Sequence, residues 1–262
     1  MPSSDPPAVP FRQIDRDHML GLEKGLACIA CFDGTHPRLT IADVARMTGL
    51  TRATARRCLI TLVRIGYAET DGRFFTLTPR VLKLGYAYLA ATPLTAVLQS
   101  ALERLSETIG ESSSASILDG GEIVYVARAA TKRIMSVGLA VGARLPAYCT
   151  SMGRVLLAAL PEAEARALVE AADRRALTAR TVTGVEAIMA RLARARAEGH
   201  AVIDQELEIG LTSIAVPVAD RAGRVLAAIN IGTQAARFPP AALVREFLPR
   251  LQSVQADLAR VL

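Results

Sequence analysis

The sequence predicts an α+β protein with an N-terminal winged helix-turn-helix domain, a linker helix, and a C-terminal domain in which helices cover an antiparallel sheet. Three observations carry this prediction. Two capped helical patterns and a hairpin pattern follow one another between residues 40 and 77. A strongly apolar helical pattern runs from there to about residue 93. From residue 112 the apolar period becomes that of strands, interspersed with helical patterns, an order typical of α+β domains.

Length and composition exclude several classes of protein. The 262 residues are enough for two ordinary domains, and the net charge of +6 suits a polyanionic partner. Trp is absent and aromatic residues make up 4% of the chain, which disfavours a protein that stacks single-stranded bases on rings. Four cysteines are too few for a disulfide framework. No apolar run of membrane-spanning length and no signal-peptide pattern is present, so we expect a cytoplasmic protein that does not bind membranes.

The N-terminal region begins with an expected disordered tail at residues 1–17, because four prolines lie among the first ten residues. A helix follows, in which Leu22, Leu26 and Ile29 share one face. We expect this face to pack under the next two helices. Lys24 then lies on the outer side of the helix, within reach of a phosphate.

Capping residues define the next two helices. The hydroxyl of Thr40 can accept a hydrogen bond from a free backbone N–H, and Asp43 suits the positive helix end. Gly49 can take the left-handed conformation that ends a helix. Thr51 caps the following helix, which runs over residues 52–65 and has one apolar face. These elements predict a helix-turn-helix whose second helix enters the major groove of DNA.

A short hairpin completes the first domain, which we assign to residues 18–79. Residues 67–69 and 74–77 are strand-like, and an Asp-Gly pair at 71–72 is a favoured two-residue turn. The hairpin predicts a wing, in which Arg73 follows the turn and can contact the DNA backbone.

The charges of this region agree with DNA binding. Between Arg46 and Arg64 there are five arginines and no acidic residue. Arg52 and Arg56 lie one turn apart, opposite the apolar face, where guanidinium groups can neutralise phosphates or pair with guanine edges. A solvated basic helix face would be enough to explain the charges. The order of helix caps, glycine stops and a hairpin favours DNA binding instead. The predicted DNA contacts are Lys24, Thr51, Arg52, Thr54, Arg56, Arg57 and Arg73.

A linker helix is expected at residues 80–93. Thr78 and Pro79 open it, since proline at the first helical position loses no hydrogen bond. The helix is so apolar that it indicates contact with a partner chain or a neighbouring domain. Residues 91–93 break it, and we assign the C-terminal domain to residues 94–262.

The C-terminal domain shows alternating helical and strand patterns. Helices are expected at 94–109, 150–160, 162–171, 185–198 and 241–262, the last kinked at Pro249. Strands are expected at 113–118, 123–128, 134–139, 201–204, 211–218 and 225–232, with a loop at 142–146. The last two strands are almost continuously apolar, which indicates that both of their faces are buried.

Three stretches of this domain, 142–154, 204–213 and 227–233, place polar groups at the edge of an apolar wall. They converge if the sheet is central. An apolar pocket with a few fixed polar groups and one arginine suits a small organic acid.

Individual residues in these stretches have both a functional and a structural interpretation. Arg144 can bind a carboxylate through two parallel hydrogen bonds, or it can pair with a nearby acid. Thr150 and Ser151 precede a helix whose free N–H groups favour an anion, or they simply cap it. Ser213 lies on the buried hairpin. Asn230, the only asparagine in the protein, also lies there and needs a hydrogen-bond partner.

Evidence for catalysis is weaker. No nucleophile-elbow, zinc-protease or Walker sequence is present, so we predict no enzyme activity, cofactor or metal. Asp204, Glu206 and Glu208 alternate like paired carboxylates or metal ligands, but surface acids near a turn explain them. Cys28 and Cys31 lack a second ligand pair, and we interpret them as small apolar residues. An enzyme on small carboxylic acids with an accessory basic module, and an adaptor that binds protein through the linker helix, are the alternatives.

The chain resembles the IclR family of bacterial transcriptional regulators in four stretches that span nearly all of it after the tail. These are LEKGLACIACF, TIADVARMTGLTRATARRCLITLVRIGYAETDGRFFTLTPRVLKLGYAYLA, GARLPAYCTSMGRVLLAAL and DQELEIGLTSIAVPVADRAGRVLAAINIG. Two further segments, FTLTPRVLKLGYAYL and LPAYCTSMGRVLLA, resemble the Pca/Pob-type subgroup, which controls aromatic-acid breakdown through the β-ketoadipate route.

The resemblance implies a winged-helix domain, a linker helix that helps dimerise, and a GAF-like effector domain. It implies a homodimer or dimer of dimers on a palindromic operator in double-stranded DNA. Protocatechuate, 4-hydroxybenzoate and β-ketoadipate are the implied effector candidates. Arg144 and Tyr148 are implied as subgroup additions, a carboxylate clamp and a phenol or ring contact. The other implied effector contacts are Ser151, Met152, Asp204, Leu211, Ser213, Asn230 and Gly232.

Overall fold

The computed structural model describes residues 17–91, 93–130 and 139–262. These residues divide into two compact units, with the division between Tyr88 and Leu89. Apart from its last residue, the expected tail at 1–17 lies outside the described residues.

Three helices form the core of the N-terminal unit: α1 (Leu20–Ala30), α2 (Ile41–Thr48) and α3 (Arg52–Arg64). Local sequence sets the start of α2, where Thr40 and Asp43 form a capping box. The carboxylate of Asp43 accepts hydrogen bonds from the hydroxyl and backbone N–H of Thr40 at 2.6 and 3.0 Å. These bonds hold the pKa of Asp43 below its usual range.

The buried face of α1 differs from the predicted one. Leu22 and Leu26 are 59% and 53% exposed, whereas Cys28 is fully buried and Cys31 nearly so. Both cysteines are free thiols in the core. Because thiol side chains are small and apolar, α1 can approach its neighbours closely through them, and the larger leucines are left outside.

The wing consists of β1 (Ala68–Thr70) and β2 (Phe75–Leu77), which pair antiparallel. Its loop contains four residues rather than the predicted two. The Asp71 carboxylate accepts hydrogen bonds from the N–H groups of Arg73 and Phe74 at 2.9 and 2.7 Å. This side-chain turn takes the place of the tighter backbone turn.

The linker begins with a short 3-10 turn at Pro79–Val81 and continues as α4 (Leu82–Ala91). Thr78 caps the turn by accepting a hydrogen bond from the N–H of Arg80 at 3.4 Å. The side chains of Leu82, Leu84, Tyr86 and Tyr88 are exposed.

A six-stranded antiparallel sheet forms the centre of the C-terminal unit, with the strand order β5-β4-β3-β8-β7-β6. The strands are β3 (Ser112–Asp119), β4 (Glu122–Ala129), β5 (Arg144–Pro146), β6 (Ala201–Asp204), β7 (Leu211–Ala219) and β8 (Val225–Gln234). The helices are α5 (Pro93–Ile109), α6 (Ser151–Ala159), α7 (Glu162–Ala171), α8 (Val185–Glu198) and α9 (Pro240–Val261).

Helices cover both faces of this sheet. Helices α5 and α9 pack on one face, where the core includes Ile214, Val216 and Ile229. Helix α6 packs on the other face, where Ala215 and Ala228 lie, and α7 and α8 join the same core through their contacts with α6. The small residues on this second face let α6 lie close to the sheet, and the predicted burial of both faces of β7 and β8 follows from these two layers.

One expectation for this unit needs revision. The segment at 142–146 is not all loop, because Arg144–Pro146 forms the edge strand β5 against β4. The last helix, α9, continues through Pro249 as one element. The strand expected at 134–139 falls largely on residues 131–138, which lie outside the described residues.

Candidate functional site

Helix α3 presents a basic face to solvent. Arg52, Arg56 and Arg57 are exposed, while Ala55 and Leu59 on the opposite side are buried. Within the described ranges, none of the three arginines pairs with a carboxylate. An anionic partner therefore meets three uncompensated guanidinium groups on this face.

The other predicted DNA contacts lie in α3 and at its N-cap, on α1 and in the wing loop. The hydroxyl of Thr51 accepts a hydrogen bond from the N–H of Thr54 at 3.2 Å, so it caps the helix. Lys24 is half-buried on α1 and lines a surface groove together with Thr54. Arg73 is exposed in the wing loop, with its guanidinium carbon 5.2 Å from the centre of the Phe74 ring.

A polar cavity lies between the sheet and α6 in the C-terminal unit. Its floor is a row of facing residues on three strands, because Arg128 on β4 pairs in register with Ser114 on β3, and Ser114 pairs with Asn230 on β8. The guanidinium Nη1 of Arg128 donates to the hydroxyl of Ser114 at 3.3 Å. Neighbouring strands are about 4.8 Å apart, so the row places a cation and an amide on one surface.

A second row on the same face contains Ser112, Gly232 and Ser213. The hydroxyl of Ser213 donates to the hydroxyl of Ser151 at 2.9 Å. This bond joins β7 to the start of α6, which forms the wall of the cavity. Gly232 leaves room in the floor, since the nearest atom to an added Cβ is a Leu211 methyl at 4.0 Å.

The cavity is small and partly apolar. Met152, Leu207, Leu211 and Leu139 contribute apolar surface, and the sulfur of Met152 accepts a hydrogen bond from Ser116 at 3.3 Å. The open space is about 40 Å³, much less than the roughly 300 Å³ at which ligand sites begin. Binding of an organic acid therefore requires the lining side chains to move outward.

Two polar groups in the cavity have unused bonding capacity. The side-chain oxygen of Asn230 is buried and has no hydrogen-bond partner among the described residues. Arg128 is half-buried, and it has no carboxylate partner in the part of the chain that the structure describes. Tyr125 also lines the cavity, and burial raises the pKa of its phenol to about 12, so the phenol is neutral and able to donate. A buried polar atom without a partner costs free energy, and a bound ligand can satisfy it.

The structure brings together six of the nine sequence-predicted effector contacts and separates the other three. Arg144 lies on the surface, where Nε donates to Glu122 at 2.7 Å and Nη2 to Asp119 at 2.8 Å. Tyr148 is buried elsewhere and its hydroxyl donates to a backbone carbonyl. Asp204 faces the outer side of β6 and pairs with Arg180. The cavity residues are Ser151, Met152, Leu211, Ser213, Asn230 and Gly232.

Arg144, on β5, is thus occupied by Glu122 on β4 and Asp119 on β3, which removes the reason to assign it as the carboxylate clamp. Arg128 is the cation that the structure offers instead, and sequence reasoning missed it. The feature of the sequence that could have revealed Arg128 is its position at the end of the apolar run IVYVAR. Ser112 and Ser114 were missed too, although serines alternating along one strand face are unusual in a buried strand.

The sequence suggested that the acids at 204, 206 and 208 are all surface groups, but in the structure they are not equivalent. The Glu206 side chain is 9% exposed and its carboxylate accepts a hydrogen bond from Arg154 at 2.6 Å. Within the described residues, no group of three or more potential ligands could hold a metal ion. The helices that the structure describes are too short or too polar to span a membrane.

Comparison with known proteins identifies both units. Residues 21–72 match the IclR helix-turn-helix domain, and residues 86–260 match the family described as bacterial transcriptional regulator IclR C-terminal. The chain belongs to the IclR family of bacterial transcriptional regulators. The resemblance found in the sequence is therefore confirmed, and relatives named for the Pca regulon, the Pca operon and p-hydroxybenzoate hydroxylase, 35–47% identical to this chain, confirm its Pca/Pob character.

Three relatives of this IclR-family protein carry further information. The Pca regulon regulatory protein of Pseudomonas putida is 47% identical over 249 residues, which cover 95% of this chain and 86% of that protein. A crystal structure of a transcriptional regulator from Rhodococcus sp. RHA1 is 50% identical, with a TM-score of 0.79 and coverage of 93% and 98%. The inducer-binding domain of PobR from Acinetobacter, a double mutant in complex with 3-hydroxybenzoic acid, is 31% identical, with a TM-score of 0.62 and coverage of 65% and 100%.

Proposed function

We propose that this IclR-family protein is a sequence-specific DNA-binding regulator of aromatic-acid catabolism genes that responds to a small organic acid. The observation that carries the proposal is the cavity in which Arg128 and Asn230 have unmet bonding capacity beside apolar walls. The relatives support it, because one is named for the Pca regulon and another binds a hydroxybenzoate. Acting on DNA in a bacterium, the protein works in the cytoplasm.

The effector carboxylate pairs with Arg128 in this proposal. A partly buried guanidinium without an acidic partner favours a carboxylate through charge-assisted hydrogen bonds. Asn230 and the hydroxyls of Ser151 and Ser213 then contact the polar groups at the other end of the ligand. Protocatechuate, 4-hydroxybenzoate and β-ketoadipate are the candidates.

DNA recognition is assigned to α3. Arg52 and Arg56 read or position the duplex in the major groove, Arg57 flanks them, and Arg73 in the wing holds the backbone. The exposed side chains of Leu82, Leu84, Tyr86 and Tyr88 on the linker favour self-association. A homodimer or dimer of dimers on a palindromic operator follows, since a twofold protein matches a twofold site.

Ligand control requires that the effector prefer one arrangement of the protein over another. Because the cavity of about 40 Å³ is smaller than an organic acid needs, binding displaces lining side chains of α6, β7 and β8. In our proposal, this displacement is the reason why the effector binds one arrangement of the protein more tightly than the other.

A titration of the protein onto its own upstream DNA tests the proposal. Fluorescence anisotropy is measured with and without each candidate acid at several salt concentrations. We expect saturable binding whose logarithm falls linearly with the logarithm of salt concentration, and a shift in affinity with at least one acid. Binding that no acid alters would contradict the regulatory part of the proposal.

An enzyme that acts on small carboxylic acids is the competing function. Incubation of the purified protein with the same acids, followed by mass spectrometry, separates the two. Recovery of unchanged acid in the presence of ligand-dependent DNA binding is the expected result, and turnover of any acid would favour the enzyme.

A further inference from the structure

A second concave site lies on the outer side of β6, between α8 and the first turn of α9, and we call it the arginine cleft. Its volume is about 660 Å³, within the range of small-molecule sites. Its charged wall residues are Arg154, Arg180, Arg191, Arg194, Glu198, His200, Asp204 and Glu206.

The charges of the arginine cleft do not cancel. Four arginines face three carboxylates, and three of the arginines are paired, namely Arg154 with Glu206, Arg180 with Asp204, and Arg194 with Glu198. Arg191 has no acidic partner in the described part of the chain. Pairs that are exposed to solvent, such as those of Arg180 and Arg194, are weak, so an incoming anion can recruit their guanidinium groups.

Like charges are held close together in the cleft. The pKa of Arg154 is lowered, first by burial and in part by the neighbouring charge of Arg191, against the opposing effect of Glu206. Of these two neighbouring guanidinium groups only that of Arg154 has a carboxylate partner among the described residues, which leaves a local excess of positive charge that an added anion would relieve.

A backbone N–H group also lies at the arginine cleft. Helix α9 starts there without a side-chain cap, and the N–H of Ala241 has no acceptor among the described residues. Free N–H groups at a helix N-terminus favour anions. The wall of the cleft also has apolar members, Val182, Val202 and Val244.

We propose that the arginine cleft binds a small aliphatic dicarboxylate, as a site separate from the effector cavity. The cations come from two segments, the loop that carries Arg180 and the helix that carries Arg191 and Arg194, and three valines contribute apolar surface to the same cleft. A molecule with two carboxylates joined by methylene groups offers one anionic end to each arginine-bearing segment and apolar surface to the valines.

The two sites share their walls. Helix α6 carries Met152 into the effector cavity and Arg154 into the cleft. The loop between β6 and β7 carries Leu207 into the cavity and Glu206 into the cleft in the same way. An anion that draws Arg154 or Arg191 toward itself therefore acts on the pair that fixes this loop. Dicarboxylate binding changes effector affinity, and by linkage the effector changes dicarboxylate affinity by the same factor.

Calorimetric titration of the full-length protein with adipate tests this inference. The site variant is Arg191→Ala, and the control is Arg245→Ala, an exposed arginine that pairs only with its neighbour Glu246. We expect Arg191→Ala to weaken adipate binding about tenfold, and the control to leave it unchanged. Both residues are exposed, so both variants should fold.

A third variant, Arg128→Gln, separates the cleft from the effector cavity. Adipate affinity that survives Arg128→Gln and falls with Arg191→Ala supports the inference. Equal adipate affinity in Arg191→Ala and the unmodified protein would overturn it. So would loss of adipate binding in Arg128→Gln alone, a result that leaves the proposed effector response intact.

Discussion

Arg154 and Glu206 form an ion pair with an Nη2–Oε2 distance of 2.6 Å, and their side chains are only 2% and 9% exposed. The carboxylate also accepts a hydrogen bond from the N–H of Val182 at 3.1 Å. The pair thereby ties α6 to the loops that carry residues 182 and 206. Because the neighbouring residues on α6 and on the second loop line the effector cavity, the pair fixes two of its walls.

Glu206→Ala is expected to destabilise the C-terminal unit by about 3–5 kcal/mol, because it leaves the buried charge of Arg154 without a partner. Urea unfolding measures the change. Glu246→Ala, which removes the partner of an exposed arginine, should unfold like the unmodified protein. Equal midpoints for both variants would refute a structural role for the buried pair.

Gly153→Ala is expected to destabilise the protein by about 1–3 kcal/mol or more, since overpacked atoms must shift. An added Cβ would lie 2.2 Å from the backbone oxygen of Ala147, which cannot move without displacing the turn before α6. Gly25→Ala, where nothing lies within 4 Å of the new atom, should be neutral or stabilise by about 0.5–1 kcal/mol. Thermal unfolding compares the two.

Arg128→Gln is expected to weaken effector binding about tenfold to a hundredfold, the range for loss of a hydrogen bond to a charged group. DNA binding without ligand should not change. Arg144→Gln is the matched control, because that guanidinium is engaged by Asp119 and Glu122. If calorimetry found the larger loss in Arg144→Gln, the assignment of the carboxylate site would be wrong.

Asn230→Leu is expected to raise the free energy of unfolding by about 1 kcal/mol while it lowers effector affinity. The substitution removes a buried oxygen that has no partner among the described residues. Thr212→Val provides the contrast, since its hydroxyl donates to the carbonyl of Phe238 at 3.1 Å and its loss should destabilise. Denaturant unfolding and calorimetry on the same samples decide between these outcomes.

Arg56→Ala is expected to cost about 1–3 kcal/mol of operator binding if the guanidinium makes two hydrogen bonds to one base. A phosphate contact would instead reduce the slope of the salt dependence by about one. Arg245→Ala, on the C-terminal unit, should change neither quantity. Anisotropy at three or more salt concentrations would disprove both roles if Arg56→Ala matched the unmodified protein.

Much of the local structure was predictable from the sequence. The Thr40 cap and the glycine stop at 49 act over a few residues, so adjacent positions in the sequence are enough to predict them. The period of the apolar residues and the length of each pattern also predicted the positions of α7, α8 and β6. The face of α1 that is buried was not predictable, because whether leucines or cysteines pack in the core depends on how closely α3 approaches.

The sequence by itself determined the family, the order of the elements and the basic face of α3, since each depends on residues that are near neighbours in the chain. Only the tertiary structure decided that Arg128 rather than Arg144 faces the cavity, and that Glu206 is buried while Asp204 is not. Those outcomes depend on strand register and on which charges meet across the sheet. Pairing of distant segments is set by the packing of the whole core, for which no short stretch of sequence carries a signal.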